Sequence, residues 1–328
     1  MRLDFSNEED KTRSLNTNAV NYENNLTAAS AFMIVLNGLD YETMDNLCEE
    51  VANTTSYDSK EVYDMIQNGC SEEVKETILK TAYRLIDMKK NIGNKTDGKH
   101  NASAWISHSL FEGRAASILA ESMGLNSDTA MKLGLLHDIG RKFDQSFMHT
   151  IKGYEYLSKL GFEDDAICCL THSFLSDESS KGNRCANCDP ALDGFYVNEE
   201  GKGVFKNESD KDDITYFLEQ YNYNLYDVIL NIADLMATSK EITSPYDRVL
   251  DVYTRKTPDR NSPFFKVCFV NALRRMLYML NRDEKYTKLY NKNEVPDEMV
   301  DDLFIETSNE FMDYYVELQN NSLNRKLA

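Results

Sequence analysis

Histidine placement is the strongest constraint on what this chain can fold into. Four of its five histidines lie between positions 108 and 172, in W-I-S-H108-S-L-F-E-G-R, L-G-L-L-H137-D138-I-G-R-K, M-H149-T-I-K-G-Y-E-Y-L and C-L-T-H172-S-F. Each stands within or at the end of an apolar stretch with helical spacing, where an imidazole costs free energy unless a partner such as a metal ion satisfies it. A further element, N-I-A-D234-L-M-A, puts an aspartate in the same kind of setting. A fold that serves these segments must bring several helix ends to one point.

The rest of the chain is patterned for helices too. Residues 27–52 predict two short helices broken at Asn37-Gly38, the second carrying Tyr41, Met44, Leu47 and Val51. Asp58 or Ser59 caps a third with Val62, Met65 and Ile66, and Ser71 opens a fourth with Val74, Ile78, Ala82, Leu85 and Met88. Helices follow over 103–123, from the cap candidates Asn126, Ser127 and Asp128 to His137-Asp138, and over 148–160, 163–173, 212–221 and 225–240, with amphipathic runs at 263–281 and 296–319. No repeat period and no convincing strand pattern stands out, so the expected fold class is all-α.

Composition divides the chain into a polar, Asn-rich arm at 1–26, an N-terminal helical unit at 27–95, a helical core at 101–250 and a C-terminal helical extension at 251–328. I-G-N-K-T-D-G-K-H-N at 92–101 reads as a linker, and His100 within it as a surface residue. Residues 176–212 hold turn formers and charges, the mark of a long loop that can serve as a lid.

Charge and cysteine usage narrow the functions. Thirty-six basic against fifty-five acidic residues give a net charge of −19, which repels long polyanions and argues against non-specific nucleic-acid binding. A small phosphorylated substrate would need metal ions or a few focused cations to overcome that field. The opening M-R-L-D-F-S-N-E-E-D-K has no apolar signal core, and no uncharged run approaches the roughly 18–20 residues of a membrane span. Seven cysteines without a regular framework fit reduced thiols. A cytoplasmic protein with no membrane association is therefore expected.

Hydrolytic metal sites need imidazole nitrogens and carboxylate oxygens converging from rigid elements, with a position open for water and substrate. Adjacent His137 and Asp138 project about 100° apart on a helix, so both face one centre only where the helix end lies beneath it. The ordered histidine and aspartate set, with H-D-I-G-R-K intact, resembles the HD-domain superfamily of metal-dependent phosphohydrolases in its HDIG form, over about 108–240. H149-T-I-K-G-Y-E-Y-L is similar to the H-x-x-x-G-x-x-x-L segment of HDIG proteins. By this resemblance His108, His137, Asp138 and Asp234 are the ligands of the signature, and His149 and His172 the additional histidines of two-metal members, with Asp138 bridging. It implies an HD helical core, two divalent ions (Mn, Fe, Co or Mg) and hydrolysis of a phosphoester or phosphoanhydride of a small molecule, foremost a nucleotide, by a metal-bridging hydroxide.

Cations near the set are candidates for handling phosphate, since arginine forks match its geometry. Arg141 and Lys142, directly after the H-D-I-G run, are assigned with Asp138 to catalysis, and Arg114, Lys152 and Arg248 to substrate binding. His172 is followed by S-F-L-S-D rather than the G-Y-P of the cyclic-di-GMP branch, which disfavours that substrate. Two other readings use the same residues differently. One is an HD-fold di-iron oxygenase with the same six ligands; the other is a metal-free sensor or interaction module.

Cys185-x-x-Cys188 lacks the second ligand pair that a structural zinc needs. Replacing both cysteines with serine is expected to leave thermal stability and metal content unchanged. Loss of one zinc per chain together with stability, measured by elemental analysis and calorimetry, would reveal a structural site.

Overall fold

Side-chain caps open several of the helices in this chain. The computed structural model describes residues 26–39, 41–89, 92, 104–145, 148–173, 195–197, 203–205, 224–256, 272–273, 275–277, 279–280 and 297–327. The Asn-rich arm, His100, Cys185, Cys188 and the helix expected at 212–221 lie outside them, as does most of the 92–101 linker and of the 176–212 loop. Thr27 caps α1 (Ala28–Leu36) by accepting from the Ser30 amide, and α2 (Tyr41–Ala52) follows the Asn37-Gly38 break. Asp58 and Glu61 form a reciprocal capping box at the start of α3 (Ser59–Asn68), and Ser71 precedes α4 (Glu72–Asp87).

The core helices come next: α5 (Ala104–Ser122), α6 (Ser127–Leu136), a 3-10 turn (Ile139–Lys142) and α7 (His149–Lys159). Asn126 caps α6 by accepting from the Thr129 amide. The helix expected at 163–173 is two short pieces, α8 (Glu163–Ala166) and α9 (Cys168–Thr171). After them come α10 (Leu225–Asp234), with a capping box between Asn224 and Asp227, α11 (Pro245–Lys256) and the long α12 (Asp297–Leu327). α10 stops at Asp234, shorter than the expected 225–240, because the chain turns back through a bridge between Ala237 and Ile242. Among the described residues no helix is long and apolar enough to cross a membrane.

The fold is all-α, with one addition. Phe195–Val197 (β1) and Gly203–Phe205 (β2) pair as a short antiparallel ribbon, Tyr196 opposite Val204, within the expected long loop. Two three-residue aromatic and β-branched segments are too short for alternation to show in sequence.

α5 and α6 form the central pair, with α1 packed on α6, α10 and α12 on α5, and α7 laid on the 3-10 turn. One continuous core runs through Phe32, Ile106, Leu110, Leu133, Leu136, Ile229, Phe304 and Phe311, all fully buried. A buried ion pair, Lys132 Nζ to Asp165 Oδ1 at 2.8 Å, fastens α8 to α6.

Glycines set the closest approaches. A Cβ on Gly134 would lie 2.7 Å from the Gly113 Cα, so the α5–α6 crossing requires bare backbone on both sides. A Cβ on Gly140 would lie 1.8 Å from the His149 carbonyl oxygen and 2.5 Å from the Gly153 nitrogen, so the turn after Asp138 can seat α7 only with glycine there. Gly140→Ala is expected to cost about 3 kcal/mol or more, because rigid backbone on both sides must separate. Gly161→Ala, at φ 84° with open space around it, should cost only about 1–2 kcal/mol of left-handed backbone strain. Equal losses for the two variants in denaturant titrations would refute the packing argument.

Candidate metal centre

Helix ends deliver most of the site. His108 stands one turn inside α5, His137 is the C-cap of α6, His149 opens α7, His172 is the C-cap of α9 and Asp234 is the last residue of α10. Asp138, between α6 and the 3-10 turn, has left helical geometry at φ −102°, ψ 12°. That break resolves the angular problem of adjacent ligands, since Asp138 no longer projects around the α6 axis from His137.

With Asp234 joining them through His108, four imidazoles converge on the Asp138 carboxylate. Oδ1 lies 2.9 Å from His149 Nε2 and 3.8 Å from His172 Nε2. Oδ2 lies 3.4 Å from His137 Nε2, 3.8 Å from His108 Nε2 and 2.5 Å from Arg141 Nε. Asp234 Oδ1 is 3.1 Å from His108 Nε2. Backbone carbonyls orient two of the rings: His137 Nδ1 is 2.7 Å from the Gly134 carbonyl and His172 Nδ1 is 3.0 Å from that of Cys168. An Nδ1–H donated to a carbonyl leaves Nε2 with its lone pair turned to the centre, the tautomer a metal ligand needs. Asn231 on α10 donates to the His172 carbonyl at 2.7 Å, tying α9 to the helix that carries Asp234.

Glu112 belongs to the same cluster, and the sequence reading passed over it. It is completely buried one turn along α5 from His108, with Oε2 2.8 Å from His137 Nε2 and 3.6 Å from His108 Nε2. The signal was the i,i+4 spacing in H108-S-L-F-E112, which puts both side chains on one helix face.

Burial and crowding shape the charges. Burial resists a charge on His137, but Glu112 and Asp138 outweigh it and raise its pKa well above the usual imidazole range. Burial likewise opposes ionisation of Asp138, yet Arg141, His137 and His149 together hold its carboxyl well below the ordinary value. Burial pushes Glu112 up to about 8 and His172 down to about 3. His108 is also lowered by burial, against the pull of Asp234, and Asp234 is held low against burial by His108.

The donor set fits a divalent cation. His137 Nε2 and both Glu112 oxygens are buried and take part in no hydrogen bond, although His137 and Glu112 lie at contact distance. Lone pairs facing each other at that separation need positive charge between them, which a proton on His137 or a bound cation supplies. Donor atoms of His108, Glu112, His137 and Asp234 all lie within 4.8 Å of one another, as do those of His137, Asp138 and His172. Imidazole with carboxylate suits zinc, iron, manganese and similar ions.

The expected phosphate-handling cations are placed unevenly. Arg141 touches Asp138 directly. Lys142 is exposed, its ammonium 5.6 Å from the Phe143 ring and 5.5 Å from that of Tyr156. Arg114 grips Asp87 through both terminal nitrogens, at 2.5 and 3.2 Å, and covers the Tyr83 ring. Lys152 pairs with Glu155 and Arg248 with Asp251, each at 3.4 Å.

Comparison with known proteins agrees with this geometry. A family model described as HD domain matches residues 105–255. Ribonuclease Y of Mesoplasma florum is 31% identical over 106 residues, which cover 29% of this chain and 21% of that protein. Ribonuclease Y of Fervidobacterium nodosum is 41% identical over 64 residues, covering 19% of this chain and 12% of the relative; that of Thermotoga maritima is 39% identical over 64 residues, covering 19% and 13%. The chain thus spans about a fifth or less of these relatives' length, and no solved structure gives a significant match. The matched region, residues 105–255, holds His108, His137, Asp138, His149, His172 and Asp234, so it is this part of the chain that is similar to an HD domain.

Proposed function

We propose that this chain is a cytoplasmic, divalent-metal-dependent phosphohydrolase acting on a small phosphorylated molecule, foremost a nucleotide. The observation that carries this reading is the convergence of His108, His137, His149 and His172 on the two oxygens of Asp138, with Asp234 set against His108. Divalent cations bound there would supply Lewis-acid polarisation of a phosphoryl oxygen and acidify water to near neutral pH.

The chain's own groups provide orientation. Asp138 turns Oδ1 to His149 and His172 and Oδ2 to His137 and His108, the disposition a carboxylate shared by two cation positions requires. Arg141 keeps that carboxylate ionised and fixed, and its partly exposed guanidinium has donors left for a phosphate oxygen. Lys142, beside it, adds a second positive charge at the surface. Lys152 and Arg248 serve substrate phosphates in this reading, and Arg114 would do so after release from Asp87. The name of the matched relatives, Ribonuclease Y, adds an RNA phosphodiester to the candidate bonds. The net charge of −19 favours the smaller substrates over a long polyanion.

A panel of mono- and dinucleotides, a generic phosphodiester and a short oligoribonucleotide, offered with Mn, Co, Mg or Fe(II), is expected to yield turnover. His137→Ala and Asp138→Ala should stay folded and lose metal and turnover together; wild-type turnover in the double variant would overturn the reading. About two ions per chain are expected, falling to about one in His149→Ala or His172→Ala with a rate loss of several powers of ten. Saturation at one equivalent in active wild type would make those two histidines proton donors or phosphate contacts instead. Oxygen consumption with bound iron and no phosphate release would favour the oxygenase, and a folded protein that takes up no metal would favour the interaction module.

A further inference from the structure

We infer that Glu112 is a metal ligand and that it makes the two halves of the centre unequal, closing an inner cation position with four protein donors and leaving the outer position open. The inference rests on the reading of this cluster as a metal centre and adds to it a ligand and an order of occupancy.

Glu112 has no other evident role in the fold. Its side chain is fully buried, neither oxygen forms a hydrogen bond among the described residues, and its ion-pair neighbours there are the imidazoles of His108 and His137. A buried carboxylate used to support structure ordinarily accepts several hydrogen bonds, whereas among the described residues Glu112 faces two imidazoles. A purely structural position on the inner face of α5 would be served better by an apolar residue of similar volume. His137 has already committed Nδ1 to the Gly134 carbonyl, so the group it turns to Glu112 is the ligating nitrogen. The carboxylate and the imidazole therefore aim at the same point.

The donors then sort by position. His108, Glu112, His137 and Asp234 supply two nitrogens and two oxygens whose atoms lie within 4.8 Å of one another. Four protein donors complete the usual coordination of a closed site. His108, Glu112 and His137 ride on α5 and α6, whose crossing is fixed by the Gly113–Gly134 contact. The outer position has His149 and His172, carried by the first turn of α7 and the four-residue α9, and the Oδ1 of the shared Asp138, three donors in all. Three protein donors leave room for water and substrate, as catalytic sites require. The inner ion is the anchor, and the outer ion is the exchangeable one.

The test compares wild type with Glu112→Gln, which keeps the shape, removes the charge and can donate to His137. Mn²⁺ content is measured by elemental analysis after dialysis against chelators of graded strength, and binding by titration of the metal-free protein. Wild type should retain one ion under conditions that strip the other. Glu112→Gln should lose the retained class, with affinity falling by on the order of 100-fold, since even outer partners of metal ligands are worth 10–100-fold. Thermal melting adds a readout independent of activity. Without metal, Glu112→Gln should melt no lower than wild type, because the amide keeps the contact with His137 without the cost of burying a carboxylate; with saturating Mn²⁺, wild type should melt higher. Two ions bound by Glu112→Gln with wild-type affinities would overturn the inference while leaving the metal centre standing. A variant that melts lower than wild type by the same amount with and without Mn²⁺ would assign Glu112 a structural role instead. Wild type that takes up no divalent ion would overturn both readings.

Discussion

The Asp138 carboxylate is the point on which the site depends. Its two oxygens are approached by four imidazoles and one guanidinium from five separate segments, and it is almost completely buried. Such a charge persists in a protein interior only when surrounding groups offset the lost hydration. Arg141 does so from three residues away, and the histidines add polar contact from every other side. The segments that carry His108, His137, His149 and His172 are therefore placed under two demands: to bury an apolar face, and to bring a polar side chain to this carboxylate.

Meeting both demands explains why the ligand candidates sit at helix ends and why bare backbone surrounds them. A residue inside a helix is committed to one azimuth, whereas a C-cap or first residue can be turned by the adjoining loop. His137, Asp138, His149, His172 and Asp234 all use that freedom. The cost is crowding, because several chain reversals must fit near one point. Gly113 against Gly134 and Gly140 against His149 and Gly153 are where the crowding is relieved. Substituting either contact would move the donors as well as the packing, so stability and site geometry are tied to the same glycines.

Much of this was legible in the sequence because the two periodicities involved are strong. Apolar spacing marked α1 to α7, and caps such as Asn126 and Asp58 set their starts within a residue or two. The histidines stood out because imidazoles are rare in apolar runs. What escaped was of a different kind. Glu112 reads as one acidic residue among fifty-five until burial shows that it faces inward. Arg114 reads as a free cation until tertiary packing gives it Asp87, a partner twenty-seven positions away. The early stop of α10 depends on the Ala237–Ile242 bridge, and the β1–β2 ribbon on pairing between short segments. Non-local contacts decide each of these, and no window of local sequence holds them.

In a chain with a net charge of −19, where the positive charge sits matters more than how much of it there is. Lys152 and Arg248 lie at i,i+3 spacing from Glu155 and Asp251, so their fields are partly cancelled within one helical turn. Arg114 is neutralised by Asp87. Arg141 is held against Asp138, and Lys142 next to it rests near two aromatic rings, its pKa lowered by partial burial. Among these cations, Arg141 and Lys142 are the pair joined directly to the centre through the backbone of the 3-10 turn. The same Gly140 that lets α7 approach therefore also sets where positive charge meets the buried donors. Along that turn the chain runs from the exposed Lys142 and Phe143 to the buried Asp138 within six residues, so surface positive charge and the buried donors are held next to each other.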